Sequence, residues 1–387
     1  MAASYLAAVV HLGFGGVSRP LAQAKTRLRR LVVGCSDLDE TLLLAARAAL
    51  AGPGGRGLGR LLAAGVRSAR PNTRCLARLI RANLQENAGN RAQAWRDTVR
   101  GLDLARQYGD RWAQGMAAQM LGSLHSQAAR YAEAVGYYRL SAQILHELHA
   151  YEESAQSRGF VGAALVGAGQ VEQGRREALA ALGPQQGPLI GGPANQGSDT
   201  EYEAAVTATL AEADLAEGKT DSGLEPYRRA VVLCGLAEAA QFADPFASLV
   251  TSAAVCAHVA VGARHPAREL LAPLLDTVLP RDLGDRAGQT FVDLPITGAL
   301  ALAVSSLDIG DPGWYENGVR LLATAARAAP RQDYPSLRVD RHMSAARLTV
   351  GDELVDAEIS RAAALRRRDI GVELQRLLGR RYQALRM

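Results

Sequence analysis

Cysteine is scarce: Cys35, Cys75, Cys234 and Cys256 are dispersed over 387 residues without a CxxC pair. That spacing excludes a disulfide framework and a thiolate zinc site, and it fits a reducing cytoplasm. Aromatic residues are 5% of the chain, set against abundant Ala, Leu and Arg. An all-β architecture is therefore excluded, and helices packed closely through small side chains are expected. Long apolar runs are missing too. The opening MAASYLAAVVHLGFGG lacks a basic start, is broken by His11 and runs on to Arg19 without a clear cleavage site, so it reads as a buried helix. Nothing else approaches the roughly 20 uninterrupted apolar residues of a membrane span, and no membrane partner is expected.

Lysine is nearly absent, Lys25 and Lys219 being the only two among 44 basic side chains. The charge is unevenly placed: 18 basic against 7 acidic side chains in 1–111, 8 against 15 in 112–240, and 18 against 17 in 241–387. A basic first third followed by an acidic middle would steer a charged partner. Solvated arginine-rich helix faces explain the same numbers, and direct nucleic-acid binding is not favoured.

What is present in quantity is a repeat. In GMAAQMLGSLHSQAARYAEAVGYYRLSAQIL, Gly122 follows Leu121 in one helix, a turn falls near Arg130 and Tyr131, and Ala134, Tyr138 and Ser141 follow at spacings of four and three. This resembles the tetratricopeptide pattern, with small residues where two antiparallel helices touch. The second-helix signature recurs from Ala24, Gly57, Ala94, Ala134, Gly174, Gly223, Ala267 and Gly318. Four residues on stand Leu28, Leu61, Thr98, Tyr138, Ala178, Tyr227, Leu271 and Leu322; seven on stand Leu31, Ala64, Gly101, Ser141, Ala181, Ala230, Leu274 and Ala325. Positions four and seven apart share a helix face, so each second helix presents one small or apolar stripe. Such pairs cannot bury their faces alone, and the predicted fold is all-α, a right-handed α-solenoid of helix pairs.

The expected organisation is tetratricopeptide-like pairs over 1–183, a Gly/Pro-rich loop or hinge over 184–198, further pairs over 199–335, and basic capping helices over 336–387. Asp199 is a fair N-cap for the helix that resumes after the hinge.

Three near-motifs read as structure. Gly218-Lys219-Thr220 resembles the end of a P-loop, but the first glycine of GxxxxGK[ST] would fall at Ala213 inside a helical stretch. Gly52, Gly54 and Gly57 satisfy GxGxxG without a surrounding βαβ unit. His146 and His149, near Glu152 and Glu153, end a helix, where cationic side chains are favoured anyway. No catalytic constellation, metal site or cofactor is implied.

Function is expected on the concave face lined by first helices. Helix register places Asn83, Glu86 and Asn87 there, then Gln119, Ser123, Ser126 and Gln127; later pairs offer Ala208, Leu215, Ser252, Cys256 and Val259, so the groove should pass from polar to apolar. Tetratricopeptide clamps for a terminal carboxylate use Lys or Arg where this chain has Leu76, Leu79, Met116 and Gln119, which argues against carboxylate clamping. A competing surface is the basic set Arg56, Arg60, Arg67, Arg70, Arg74, Arg78 and Arg81.

One segment is more specific. Asp293-Leu294-Pro295, GALALA at 298–303, Arg320-Leu321-Leu322-Ala323 and Arg331-Gln332-Asp333-Tyr334-Pro335-Ser336-Leu337 resemble the C-terminal sensor region of actinobacterial regulators of the Streptomyces antibiotic regulatory protein type and related signal-transduction ATPases. The winged-helix and P-loop domains of those regulators have no counterpart motif here. The resemblance implies the isolated sensor module, cut out or encoded alone: a non-enzymatic regulatory module binding a protein, peptide or small effector, in bacterial transcriptional regulation. The alternative is an enzyme or enzyme-partner solenoid with a small-molecule pocket in secondary metabolism.

Overall fold

The structure, a computed structural model, describes residues 28, 39–51, 57–182, 196–235, 245–279 and 293–386. Among the described residues are seventeen α-helices, one short 3-10 turn and no strand. They form two compact units, one built from residues up to Glu86 with Asn90–Ala117, the other from Asn87–Gly89 and the residues after Ala117.

The first unit holds α1 (Glu40–Ala51), α2 (Leu58–Val66), α3 (Pro71–Asn87), α4 (Arg91–Tyr108) and the start of α5 (Arg111–Ser126). Leu44, Leu58, Leu62 and Ala77 pack together. Gly65 is required at that contact, because a Cβ there would lie 2.9 Å from the Cβ of Ala77. The second repeat signature is thereby corrected by one residue. Gly57 and Ala64 are exposed, while Leu58, Leu62 and Gly65 are the buried stripe.

The second unit continues with α6 (Tyr131–Glu147), α7 (Tyr151–Gly167), α8 (Val171–Ala181), α9 (Gln196–Ala216), α10 (Thr220–Leu233), α11 (Pro245–Ala260), α12 (Arg264–Val278), α13 (Leu294–Asp308) and α14 (Tyr315–Arg327). Within it α7 packs on α6, α8 and α9, α9 on α10 and α11, and α11 on α12 and α13. First helices thus neighbour first helices, the stacking of a tetratricopeptide-type α-solenoid. The expected stripe is buried at all three positions in α4, α6, α8, α10, α12 and α14. Close approach explains the small residues: a Cβ on Gly122 would sit 2.6 Å from the ring of Tyr138.

The turns repeat as well. Gly89, Gly109, Ala129, His149 and Gly169 all have positive φ, and in each case the next residue's N–H bonds back to a carbonyl five residues earlier, as in Arg130 to His125 and Ala150 to Leu145. This satisfies the orphan carbonyls that a helix end leaves open. His149 is such a turn residue, its Nδ1 2.7 Å from the hydroxyl of Tyr151. Gly218 and Lys219 form the turn between α9 and α10, where Lys219 pairs with Glu217 at 2.8 Å.

The first repeat signature, apart from the buried Leu28, lies outside the described residues, as do Gly52, Gly54 and 184–195 of the expected hinge. Helix α9 already begins at Gln196. Asp199 therefore lies inside that helix, not at its N-cap.

After α14 the chain runs through a strap, 330–338, whose 3-10 turn Pro335–Leu337 packs on α11 and α13. Three helices follow: α15 (Val339–Val350), α16 (Asp352–Ala363) and α17 (Arg367–Arg386). Helices α16 and α17 rest on the last pair through Leu374, Leu377 and Leu378, through Arg381 to the buried Asp308 at 2.7 Å, and through Arg320 to Glu358 at 3.3 Å.

Candidate functional site

The register that predicts a groove also sets its depth. Of the residues expected there, Asn83 and Glu86 belong to the first unit, the first half-buried and the second buried. Asn87, Gln119, Ser123, Ser126 and Gln127 belong to the second. Gln119 donates to the side chain of Gln156 on α7 at 3.3 Å. Ser126 and Gln127 are buried, and Ser123 is half-buried.

What covers the inner face is the strap. The Arg331 guanidinium donates to the Ser123 hydroxyl at 3.2 Å while its other edge pairs with Asp333 at 2.6 Å. The Gln332 side chain donates to the backbone carbonyl of Gln127 at 3.2 Å, and the Gln332 carbonyl accepts from the Tyr131 hydroxyl at 2.7 Å. The Ser336 amide donates to Glu212 on α9 at 2.9 Å, and the same carboxylate oxygen accepts from the Tyr227 hydroxyl at 2.5 Å. Burial pushes the Glu212 carboxyl above its ordinary range, against those hydrogen bonds. Burial likewise drives His342, whose Nε2 lies 2.9 Å from the Ser336 carbonyl, down to about 4.

The apolar half of the expected groove is thereby corrected. Ala208, Ser252 and Cys256 are 0–1% exposed. The turn Pro335–Leu337, with Tyr334 and Leu337 buried, fills the space against α11 and α13. In the basic set Arg60 and Arg67 are exposed, Arg70 pairs with Asp39 and Glu40, and Arg78 and Arg81 converge on the fully buried Asp97 at 3.3 and 2.5 Å. Arg56 lies outside the described residues.

Open space remains beside the strap. A shallow recess of about 40 Å³ is lined by Tyr138, Gln156, Phe160, Tyr202, Leu249 and Tyr334, with Ser126 and Asp333 also in its lining. Helices α7 and α9 meet closely beneath it, a Cβ on Gly159 falling 3.1 Å from the ring of Tyr202. Its polar groups are already engaged: Tyr202 donates to the Ala155 carbonyl, Thr209 to the Ala205 carbonyl, and Asp333 is held by Arg331. Such a wall offers aromatic surface whose neighbouring polar groups are already paired, a lining suited to apolar groups.

The fold has solved neighbours. One is a Rap protein complexed with competence and sporulation factor, 12% identical, covering 97% of this chain and 99% of that one with a TM-score of 0.62. Another is NprR in complex with its cognate peptide NprX, 12% identical, covering 88% and 95% with a TM-score of 0.54. No family model and no curated protein matches the sequence. At this identity the likeness concerns the helical-repeat fold.

Sequence reasoning placed Tyr131 at a turn and Tyr227 on a packing stripe without their hydrogen bonds to Gln332 and Glu212, and it missed Glu212 and the placement of the strap. The motif Arg331 to Leu337 was visible, and Pro330 and Pro335 mark it as non-helical. Which helices it crosses has no local signal. Among the described residues no group of His, Cys, Asp and Glu is arranged to hold a metal, and no helix is long and apolar enough to cross a membrane.

Proposed function

We propose that this chain is a non-enzymatic regulatory module that binds a peptide on the inner face of its second unit. The observation that carries the reading is the aromatic recess on consecutive first helices, with Gln156 at its rim and Ser126 and the strap as its wall. Both solved neighbours are complexes, and one of them holds a cognate peptide in its own structure. The groove residues Gln119, Ser123, Ser126 and Gln127 belong to this site as supports of its wall, with Gln119 tied to the rim amide of Gln156. Asn87 is proposed as a further contact on the second unit, and Asn83 and Glu86 as polar contacts of the first unit taken by itself.

The resemblance of 293–337 to the sensor region of antibiotic regulatory proteins supports a place in bacterial transcriptional regulation, in the cytoplasm. The organisation into pairs over 1–183 and 199–335, with 336–387 as a cap, is part of the same proposal.

Affinity selection of a random decapeptide library on the immobilised protein tests the reading. Enriched peptides should bind the wild type and lose at least ten-fold affinity to Phe160→Ala, since truncating one buried aromatic anchor removes about 1.4 kcal/mol or more. No enrichment, or binding indifferent to that change, would overturn it.

A further inference from the structure

The strap does more than close the wall, on the condition that the peptide-binding reading above holds. Its backbone is extended at Tyr334 and Arg338, and three of its main-chain groups are taken up by the helices beneath. The Arg331 N–H donates to the Pro295 carbonyl at 3.1 Å, the Gln332 carbonyl accepts from Tyr131, and the Ser336 N–H donates to Glu212. Main-chain groups are common to every peptide, so these partners would serve any extended segment laid along the same path.

One buried side chain on the path lacks a hydrogen-bond partner. Gln127 is 1% exposed, yet neither the nitrogen nor the oxygen of its side-chain amide has a partner, although the strap bonds its backbone carbonyl. Buried amides without partners are uncommon in folded proteins. Glu212 is 3% exposed and receives its hydrogen bonds from uncharged donors, Tyr227 and Ser336.

The strap is also joined at both ends to what a ligand would touch and move. Asp333 and Tyr334 form part of the recess, so an occupant of the recess meets them directly. The Gln332 side-chain oxygen accepts from the N–H of Val339, the first residue of α15. Displacing Gln332 removes that bond at the start of the helix.

We propose that residues 331–337 are an intramolecular occupant of the inner face, which a peptide ligand displaces, freeing the start of α15. The test uses a fluorescein-labelled peptide of Pro330–Val339 added in trans to the full chain and to the double variant Arg331→Ala, Gln332→Ala, which removes side-chain anchors of the strap and leaves the path beneath it intact. The peptide should bind the variant at least ten-fold more tightly than the wild type, where the strap competes. Equal affinity for both proteins would overturn the proposal.

Library-selected peptides separate this failure from that of the underlying reading. If they bind the wild type through Phe160 but fail to displace the strap peptide from the variant, peptide binding stands and the strap proposal falls. If no peptide binds either protein, both fall. Native-state hydrogen exchange covers a variant that does not fold. In the wild type, the Ser336 and Val339 amides should exchange at least 100-fold faster than those of Leu300–Val304 in α13, and equal protection would show that the strap opens only when the whole unit unfolds.

Discussion

Two carboxylates, one in each unit, are removed from water in opposite ways. Asp97 in the first unit is 0% exposed and lies against two guanidiniums, with Gln93 completing its hydrogen bonds at 3.0 Å. Burial raises its pKa less than Arg81, Gln93 and Arg78 together lower it, so its carboxyl stays below the usual range. Glu212 in the second unit is as deeply buried but bonded to a phenol and an amide, and burial holds it above that range. The first arrangement ties α3 to α4 by charge; the second gives the strap an acceptor that does not depend on a charged partner.

The largest expected effect that tests the contrast is at Asp97. Asp97→Asn leaves Arg78 and Arg81 facing each other without a counter-charge, and should cost about 3 kcal/mol, the low end for a broken buried pair because both guanidiniums keep some solvent. Chemical denaturation measures this as a lower midpoint at unchanged slope. Glu212→Ala should cost about 2 kcal/mol by leaving the Tyr227 hydroxyl and the Ser336 amide without an acceptor. Glu212→Gln keeps the acceptor and sheds the charge, so its midpoint should stay within about 0.5 kcal/mol of wild type. If the two amide substitutions behave alike, the two carboxylates are not held differently.

The pH dependence sharpens the same point. Asp308, pushed up to about 6 by burial against the pull of Arg381 and Asn317, binds its proton more tightly folded than unfolded, as does Glu212. Stability from these two groups is therefore full at low pH and falls as pH rises from the ordinary carboxyl range through about 6. Asp97 has the opposite sign: its contribution is present above its unfolded value and lost as pH falls through the lowered one. Over pH 4.5 to 7 His342, held down to about 4, adds stability as pH rises, so the measure is the difference between the proteins: the Tm of the wild type relative to Asp308→Asn should fall across this interval. A difference that stays flat or grows would contradict the assignment.

The smallest effect is a control at the surface. Lys219→Ala removes an exposed ion pair to Glu217 in the α9–α10 turn and should leave the denaturation midpoint unchanged. ATP binding that disappears with the change would restore the phosphate-loop reading of Gly218-Lys219-Thr220.

Much of the fold was legible because it is local. Helix faces repeat at 3.6 residues, and Ala134, Tyr138 and Ser141 or Gly223, Tyr227 and Ala230 could be placed on one stripe from spacing alone. The one-residue error at Gly57 arose where a left-handed glycine precedes the helix, so a small residue of the turn was taken for one of the packing stripe. The groove was legible only as a register. Ser126 and Gln127 do face the strap path, but Ser252 and Cys256 are sealed, because α11 is packed by α9, α10, α12, α13 and the turn Pro335–Leu337, most of which its own spacing cannot reveal.

The sequence by itself determined the all-α class, the pairing of helices and the small residues at their contacts, since periodicity and side-chain size act between neighbours in the chain. Only the tertiary structure decided that Glu212 meets Ser336, that Tyr131 meets Gln332, and that an aromatic recess stays open beside them. Those contacts join residues 124 and 201 positions apart. Their partners are set by how successive pairs stack and where the strap crosses them, which no local pattern encodes.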